Sequence, residues 1–166
     1  MFREMRRAQQ QLSQEECEQI LQTATSGVLS LLGDDEYPYG VPVSHLYTPA
    51  CLYFHGAPSG HKADAIARHG KASFCVIQQD VVVPESFSTL FRSVIVFGRI
   101  RAVADDAEKR RALLSIGARF APGADEAARA YIEPRWNATQ VYALDIEHIT
   151  GKESRALMMQ RGQKAK

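Results

Sequence analysis

The longest alternating stretch of the chain covers residues 92–103. Val94, Val96, Gly98, Ile100 and Ala102 fall on one side, and Ile95, Phe97, Arg99, Arg101 and Val103 on the other. A period of two is the signature of a strand, whose successive side chains point to opposite faces. Shorter apolar runs at 28–32, 51–55, 72–79 and 139–149 predict four more strands. The turn residues Gly33-Asp-Asp-Glu36 set up a hairpin whose return strand covers 37–47. Pro38 and Pro42 place that strand at an edge or at a break in the ladder, because proline cannot donate to a neighbouring strand.

Helical spacing appears between the strands. Ser13 with Glu16 three residues on is a capping box, opening a helix to about residue 24 with Cys17, Ile20 and Leu21 on one face. A second helix is expected over 61–69, closed by Gly70. Asp105 or Asp106 caps a third to about residue 118, and a fourth covers 124–132 before Pro134. Six strands, early hairpins and helices in the longer connections predict a mainly β fold with peripheral helices, a six-stranded antiparallel sheet curled into a small barrel.

Length and charge narrow the picture. The 166 residues suit one domain over 1–150, followed by a tail after Gly151 that carries five Lys or Arg against one Glu and reads as a frayed, basic end. Lys and Arg total 20 against 19 Asp and Glu, so no overall charge favours nucleic acid or an anionic membrane. No apolar run reaches 18 residues, and the charged start at 1–7 lacks the apolar stretch of a secretory signal. Cys17, Cys51 and Cys75 are odd in number and widely spaced, which argues against a disulfide framework or a structural zinc site. A cytoplasmic protein with a small-molecule partner is the expectation.

Chemistry concentrates in Tyr53-Phe-His-Gly-Ala-Pro-Ser-Gly-His-Lys62. A strand ends, a glycine-containing loop crosses over, and a helix begins at His61. The first N–H groups of that helix lack internal partners and carry the positive end of its dipole. With Gly60, His61 and Lys62 beside them they form a phosphate site, or else Ser59 or Gly60 merely caps a helix whose His61 and Lys62 are surface residues. The spacing is not that of a Walker A loop, since three residues separate Gly56 from Gly60 and His61 precedes Lys62. His45, His55 and His61 are close in sequence but lie on different elements, so no metal site is expected. His55 ends an apolar strand directly before the loop, where an imidazole can exchange a proton near neutrality. No Gly-x-Ser-x-Gly elbow is present, and Cys51 and Cys75 sit in apolar strands, so a cofactor is expected to carry any hard chemistry.

Gly27-Val-Leu-Ser30, Tyr37-Pro-Tyr-Gly-Val-Pro-Val-Ser44, Tyr53-Phe-His-Gly-Ala57, Gly60-His-Lys62 and Arg92-Ser-Val-Ile-Val-Phe-Gly98, with Met1-Phe-Arg-Glu-Met-Arg-Arg7 at the start, occur in one order. Together they resemble the nitroimidazole-resistance (Nim) group of the pyridoxamine 5'-phosphate oxidase-like flavoproteins. The resemblance runs from residue 1 to about 153. It implies an FMN-binding split β-barrel, a homodimer with flavin at the subunit interface. Carried over by position, Val41, Pro42, Val43 and Ser44 run beside the flavin ring, Gly60, His61 and Lys62 hold the FMN phosphate, and Arg92, Ser93 and Val94 border the site. His55 corresponds to the histidine near flavin and substrate. One departure is His45, where the group often has an aromatic residue. The strongly basic motifs of true pyridoxamine phosphate oxidases are absent.

What the resemblance implies is an FMN-dependent oxidoreductase passing electrons from NAD(P)H to a small organic acceptor, with nitroimidazole reduction as the concrete version and His55 as proton donor. The alternative is a non-catalytic binding protein that holds a flavin, F420 or haem, the last with His45 or His55 as axial ligand. The apolar segments 81–84 and 87–91 are expected to pack either against the barrel or against a second copy.

Overall fold

A computed structural model describes residues 2–164; Met1 and the last two residues of the expected basic tail lie outside them. Seven strands form one antiparallel sheet: β1 (Ser26–Leu32), β2 (Pro38–Ser44), β3 (Leu46–Tyr47), β4 (Cys51–Gly56), β5 (Lys71–Val83), β6 (Ser88–Ala102) and β7 (Gln140–Glu153). Their order is β2-β1-β5-β6-β7-β4-β3. The two edge strands are consecutive in the chain, separated only by His45. The sheet therefore curls until its edges meet at one residue without hydrogen bonding to each other, a split barrel. This corrects the expected count of six: the run 37–47 is two strands, one on each edge. Each needs its own partner, β1 for one and β4 for the other.

His45 makes the crossing possible. Its ring is 1% exposed, packs edge-on against Phe74 at 4.9 Å, and its Nε2 donates to the Leu21 carbonyl at 2.8 Å. That bond ties the barrel seam to helix α1 (Gln14–Thr23), whose Ser13–Glu16 capping box forms as the spacing predicts. Inside the barrel, Leu29, Leu52, Phe54, Phe74, Val76, Val94, Val96 and Leu144 are fully buried.

Helix α2 (His61–Arg68) ends in an extended residue, His69, and not in a left-handed Gly70. The Gly70 carbonyl instead accepts the Ile100 N–H at 2.8 Å, docking the chain onto β6. Asp105 caps helix α3 (Asp106–Phe120) by accepting from the Ala107 and Glu108 N–H groups. Helix α4 (Asp125–Ile132) folds back on α3, where a Cβ on Gly117 would lie 3.2 Å from that of Ala128.

The expected frayed tail is corrected as well. β7 continues through Glu153, and helix α5 (Arg155–Lys164) follows. Its Arg161 pairs with both carboxylate oxygens of Glu16 on α1. Through Arg161 the described part of this end is docked onto α1 by a salt bridge. No helix among the described residues is long and apolar enough to cross a membrane.

Candidate functional site

Strand alternation decides which expected residues can meet a ligand. On β2, Val41 and Val43 turn inward and pack against the core, while Pro42 and Ser44 face outward. On β6, Val94 is fully buried and Arg92 points to the same inner side. The Arg92 guanidinium donates to the buried carboxylate of Glu153 at 2.8 Å. Ser93 faces outward. Register places Pro42, Val28, Cys75, Ile95 and Thr150 in one row across five strands of this outer face. Pro42, Ser44 and Ser93 thus share a face that Val41, Val43, Arg92 and Val94 do not.

The loop after β4 builds the second part of the site. Gly60 adopts φ of +103°, a conformation costly for any side chain, and open space lies where its Cβ would be. It precedes α2 without any side-chain cap, leaving the first helical N–H groups free for an anion. Lys62 folds back beneath the loop, so that a Cβ on Gly56 would come within 2.5 Å of its Nζ. Glycine at 56 is what admits the ammonium. The Lys62 Nζ also lies 5.5 Å from the centre of the Tyr142 ring, and Tyr142 donates its hydroxyl to the Ala57 carbonyl at 2.9 Å. No carboxylate among the described residues pairs with Lys62. Burial lowers its pKa.

His61 turns the other way. Its ring stacks on Tyr39 of β2 at 4.0 Å, and Nε2 lies 3.7 Å from Asp34. The stack brings the start of α2 beside the strand that carries Pro42 and Ser44. It occupies the imidazole of His61, so Lys62 and the backbone are the free groups at the helix start.

His55 lies opposite Val141 on β7, between inward-facing Phe54 and Gly56. Its side chain leaves the barrel toward α3 and α4. There it forms part of the wall of a cavity of about 330 Å3 beneath the two helices. The helices are held over it by Tyr53, which donates to Glu108 at 3.0 Å, and by Arg101, which bridges Glu108 and Asp145. Burial, then the nearby Lys62 charge, lower the His55 pKa below the usual value for histidine. The imidazole is therefore neutral at neutral pH, able both to donate and to accept. Removing the Lys62 charge relieves the repulsion on the imidazolium. In Lys62→Met the His55 titration followed by NMR is expected to move to higher pH; a midpoint that stays or falls would show that the two groups do not interact.

His45, the other candidate axial ligand, is sealed in the core with its Nδ1 unpartnered among the described residues. Among those residues no cluster of three His, Cys, Asp or Glu is placed to hold a metal ion. A larger groove of about 850 Å3 lies elsewhere, between residues 6–10 and α5, and among the described residues no imidazole, thiol or carboxylate lines it. Sequence reasoning missed Tyr142 and the reason for Gly56. Tyr142 is far along the chain and reads as one more apolar strand position.

Comparison with known proteins agrees with this architecture. No curated protein matches the chain. Among solved structures, a candidate 5-nitroimidazole antibiotic resistance protein from Bacteroides thetaiotaomicron is 23% identical, with 86% of each chain covered and a TM-score of 0.69. The flavocytochrome Anf3 from Azotobacter vinelandii is also 23% identical, over 90% of this chain and 72% of its own, at a TM-score of 0.78. A FAD and haem binding protein from Mycobacterium smegmatis is 27% identical, over 88% and 74%, at 0.75. The sequence pattern of the pyridoxamine 5'-phosphate oxidase family matches residues 13–153. Most of the chain carries that pattern on a split barrel, and the chain belongs to the pyridoxamine 5'-phosphate oxidase-like family.

Proposed function

We propose that the protein binds FMN and acts, as a homodimer, as an oxidoreductase that carries electrons from NAD(P)H to a small organic acceptor. The observation that carries the reading is the open, uncapped start of α2 beside Lys62, which pairs with no carboxylate among the described residues. A half-buried ammonium without a carboxylate is costly unless an anion joins it, and the free N–H groups of a helix start are suited to a phosphate. One such phosphate site fits a mononucleotide.

Flavin supplies the two-electron chemistry that no side chain of this protein can. The chain's own part is to bind and to move a proton. Lys62 and the α2 backbone hold the phosphate, Pro42 and Ser44 border the ring from β2, and neutral His55 passes a proton at one of its ring nitrogens. The second subunit is supported by the β5–β6 arm. Val82 and Phe87 are 69% and 99% exposed there, so the chain's own barrel does not cover them.

The test is titration of the purified apoprotein with FMN and with riboflavin, which lacks the phosphate, followed by flavin fluorescence. Loss of a charge-assisted contact worth ~1.5–3 kcal/mol is expected to weaken FMN by about 10- to 100-fold in Lys62→Gln and to leave riboflavin unchanged. The FMN-loaded protein is then expected to oxidise NAD(P)H under anaerobic conditions when an acceptor is present. Equal loss for both flavins would remove Lys62 from the phosphate, and failure to take up either would end the reading. A second reading, a protein that holds haem beside a flavin, is favoured by the likeness to the M. smegmatis protein. A Soret band after addition of haemin is its signature.

A further inference from the structure

We infer that the groove between residues 6–10 and α5 binds the adenylate end of a dinucleotide that carries a 2'-phosphate; on the flavin reading above, the electron donor is then NADPH and not NADH. The groove measures about 850 Å3, within the ~300–1,000 Å3 usual for ligand sites. Its charged residues are exposed, so a ligand reaches them without any opening of the barrel.

The charge in the groove is of one sign. Arg6, Arg7 and Arg155 line it, and among the described residues none of the three pairs with a carboxylate. Guanidiniums gathered without a counter-charge repel one another, and an anion with more than one negative charge relieves that repulsion. A guanidinium also grips a phosphate through two parallel N–H bonds, and an arginine accommodates the 2'-phosphate in dinucleotide sites of other folds. The start of α5 is not the source of this charge, because Ser154 Oγ already accepts the Leu157 N–H there at 3.4 Å.

The rest of the lining asks for more than an anion. Gln10 is 6% exposed, and its Oε1 has no hydrogen-bond partner among the described residues. A buried, unpaired acceptor is costly, and a phosphate, itself an acceptor, cannot satisfy it. An adenine can. Its amino group donates to an amide oxygen while a neighbouring ring nitrogen accepts from the amide N–H, the pairing by which glutamine reads adenine in nucleic acids. Rotation of the Gln10 side chain toward the groove brings the two together. Met158 and Met159 supply an apolar wall, and thioethers pack well against aromatic rings. Past Arg7, Gln10, Arg155 and Met159 the groove runs on to Phe91 and Ser154, which adjoin Arg92 and Glu153 in the chain. On the flavin reading, the nicotinamide end lies toward that side, next to the Arg92-Ser-Val94 motif.

The test is calorimetric titration of the FMN-loaded full chain with 2',5'-ADP, 5'-AMP and inorganic pyrophosphate at constant ionic strength. 2',5'-ADP has both the adenine and the second phosphate, and is expected to bind at least tenfold more tightly than either other probe. The double variant Arg6→Gln, Arg155→Gln is expected to weaken it at least tenfold. Both positions are exposed, so circular dichroism and FMN affinity should stay at the wild-type level. Binding of 5'-AMP or pyrophosphate as tight as that of 2',5'-ADP would overturn the assignment. So would 2',5'-ADP binding that the double variant leaves intact. The wild-type comparison of the probes stands even if the variant fails to fold. If no flavin is taken up, the same titrations are made on Lys62→Gln, in which the α2 site does not compete for the phosphates. Preferred binding of 2',5'-ADP there would sink the oxidoreductase reading alone, whereas flavin uptake with no preference among the probes would sink only the groove assignment.

Discussion

Arg92→Met is expected to cost the fold about 3 kcal/mol, the lower part of the ~3–5 kcal/mol range for stranding a buried charge. The Glu153 carboxylate is 0% exposed and accepts from Arg92 at 2.8 Å. Its other oxygen lies 3.0 Å from Arg161 without the alignment of a hydrogen bond. Without Arg92, one surface arginine is left to balance a carboxylate that water cannot reach. Arg161 also holds Glu16, so the loss would loosen α5 and α1 together. Urea denaturation should show a lower midpoint with an unchanged slope. The double variant Arg92→Met, Glu153→Leu should recover most of the loss, because it removes the stranded charge along with its partner. This separates two roles for one residue. If Arg92 chiefly borders the flavin, as its place in the Arg92-Ser-Val94 motif implies, the apoprotein would keep its stability and only flavin affinity would fall.

Gly98→Ala is expected to destabilise by about 3 kcal/mol, the upper end of ~1–3 kcal/mol for overpacking a core. Residue 98 lies where the β6–β7 register shifts, directly after Phe97. An added Cβ would lie 2.1 Å from the Asp145 carbonyl oxygen and 3.0 Å from its carbon. Both obstacles are backbone, so relief requires β6 and β7 to separate rather than a side chain to rotate. Gly70→Ala is the control. Its Cβ meets nothing closer than the Ile100 oxygen at 3.7 Å, an ordinary contact. It should be neutral or slightly stabilising, since alanine restricts the unfolded chain. A Gly98 variant as stable as the Gly70 variant would mean that the two strands yield at the bulge without penalty.

Much of the fold was legible in the chain. The alternation at 92–103 placed β6 to within a few residues at its end, because a buried strand must alternate wherever its two faces differ. The Ser13–Glu16 capping box and the Asp105 cap were readable because capping is local, settled within one helical turn. His55 and the Gly60-His-Lys62 loop stand out from the strand end and the helix start alone, and the resemblance points to the same residues. It assigns contiguous segments, whereas the pleat turns Val41, Val43 and Val94 inward beside outward Pro42, Ser44 and Ser93, so the side chains of one segment do not all face the same way.

The sequence by itself determined the strand-rich class, the helix starts and the family pattern, all of which depend on neighbours a few residues apart. Only the tertiary structure decided that one residue, His45, divides a strand between two edges of the sheet. It also decided that the basic end folds into a helix, and that Tyr142 and Gly56 shape the pocket of Lys62. It placed His55 against a cavity made by helices more than fifty residues away. These outcomes depend on which distant surfaces meet, through sheet curvature, register and burial, and no local spacing encodes them.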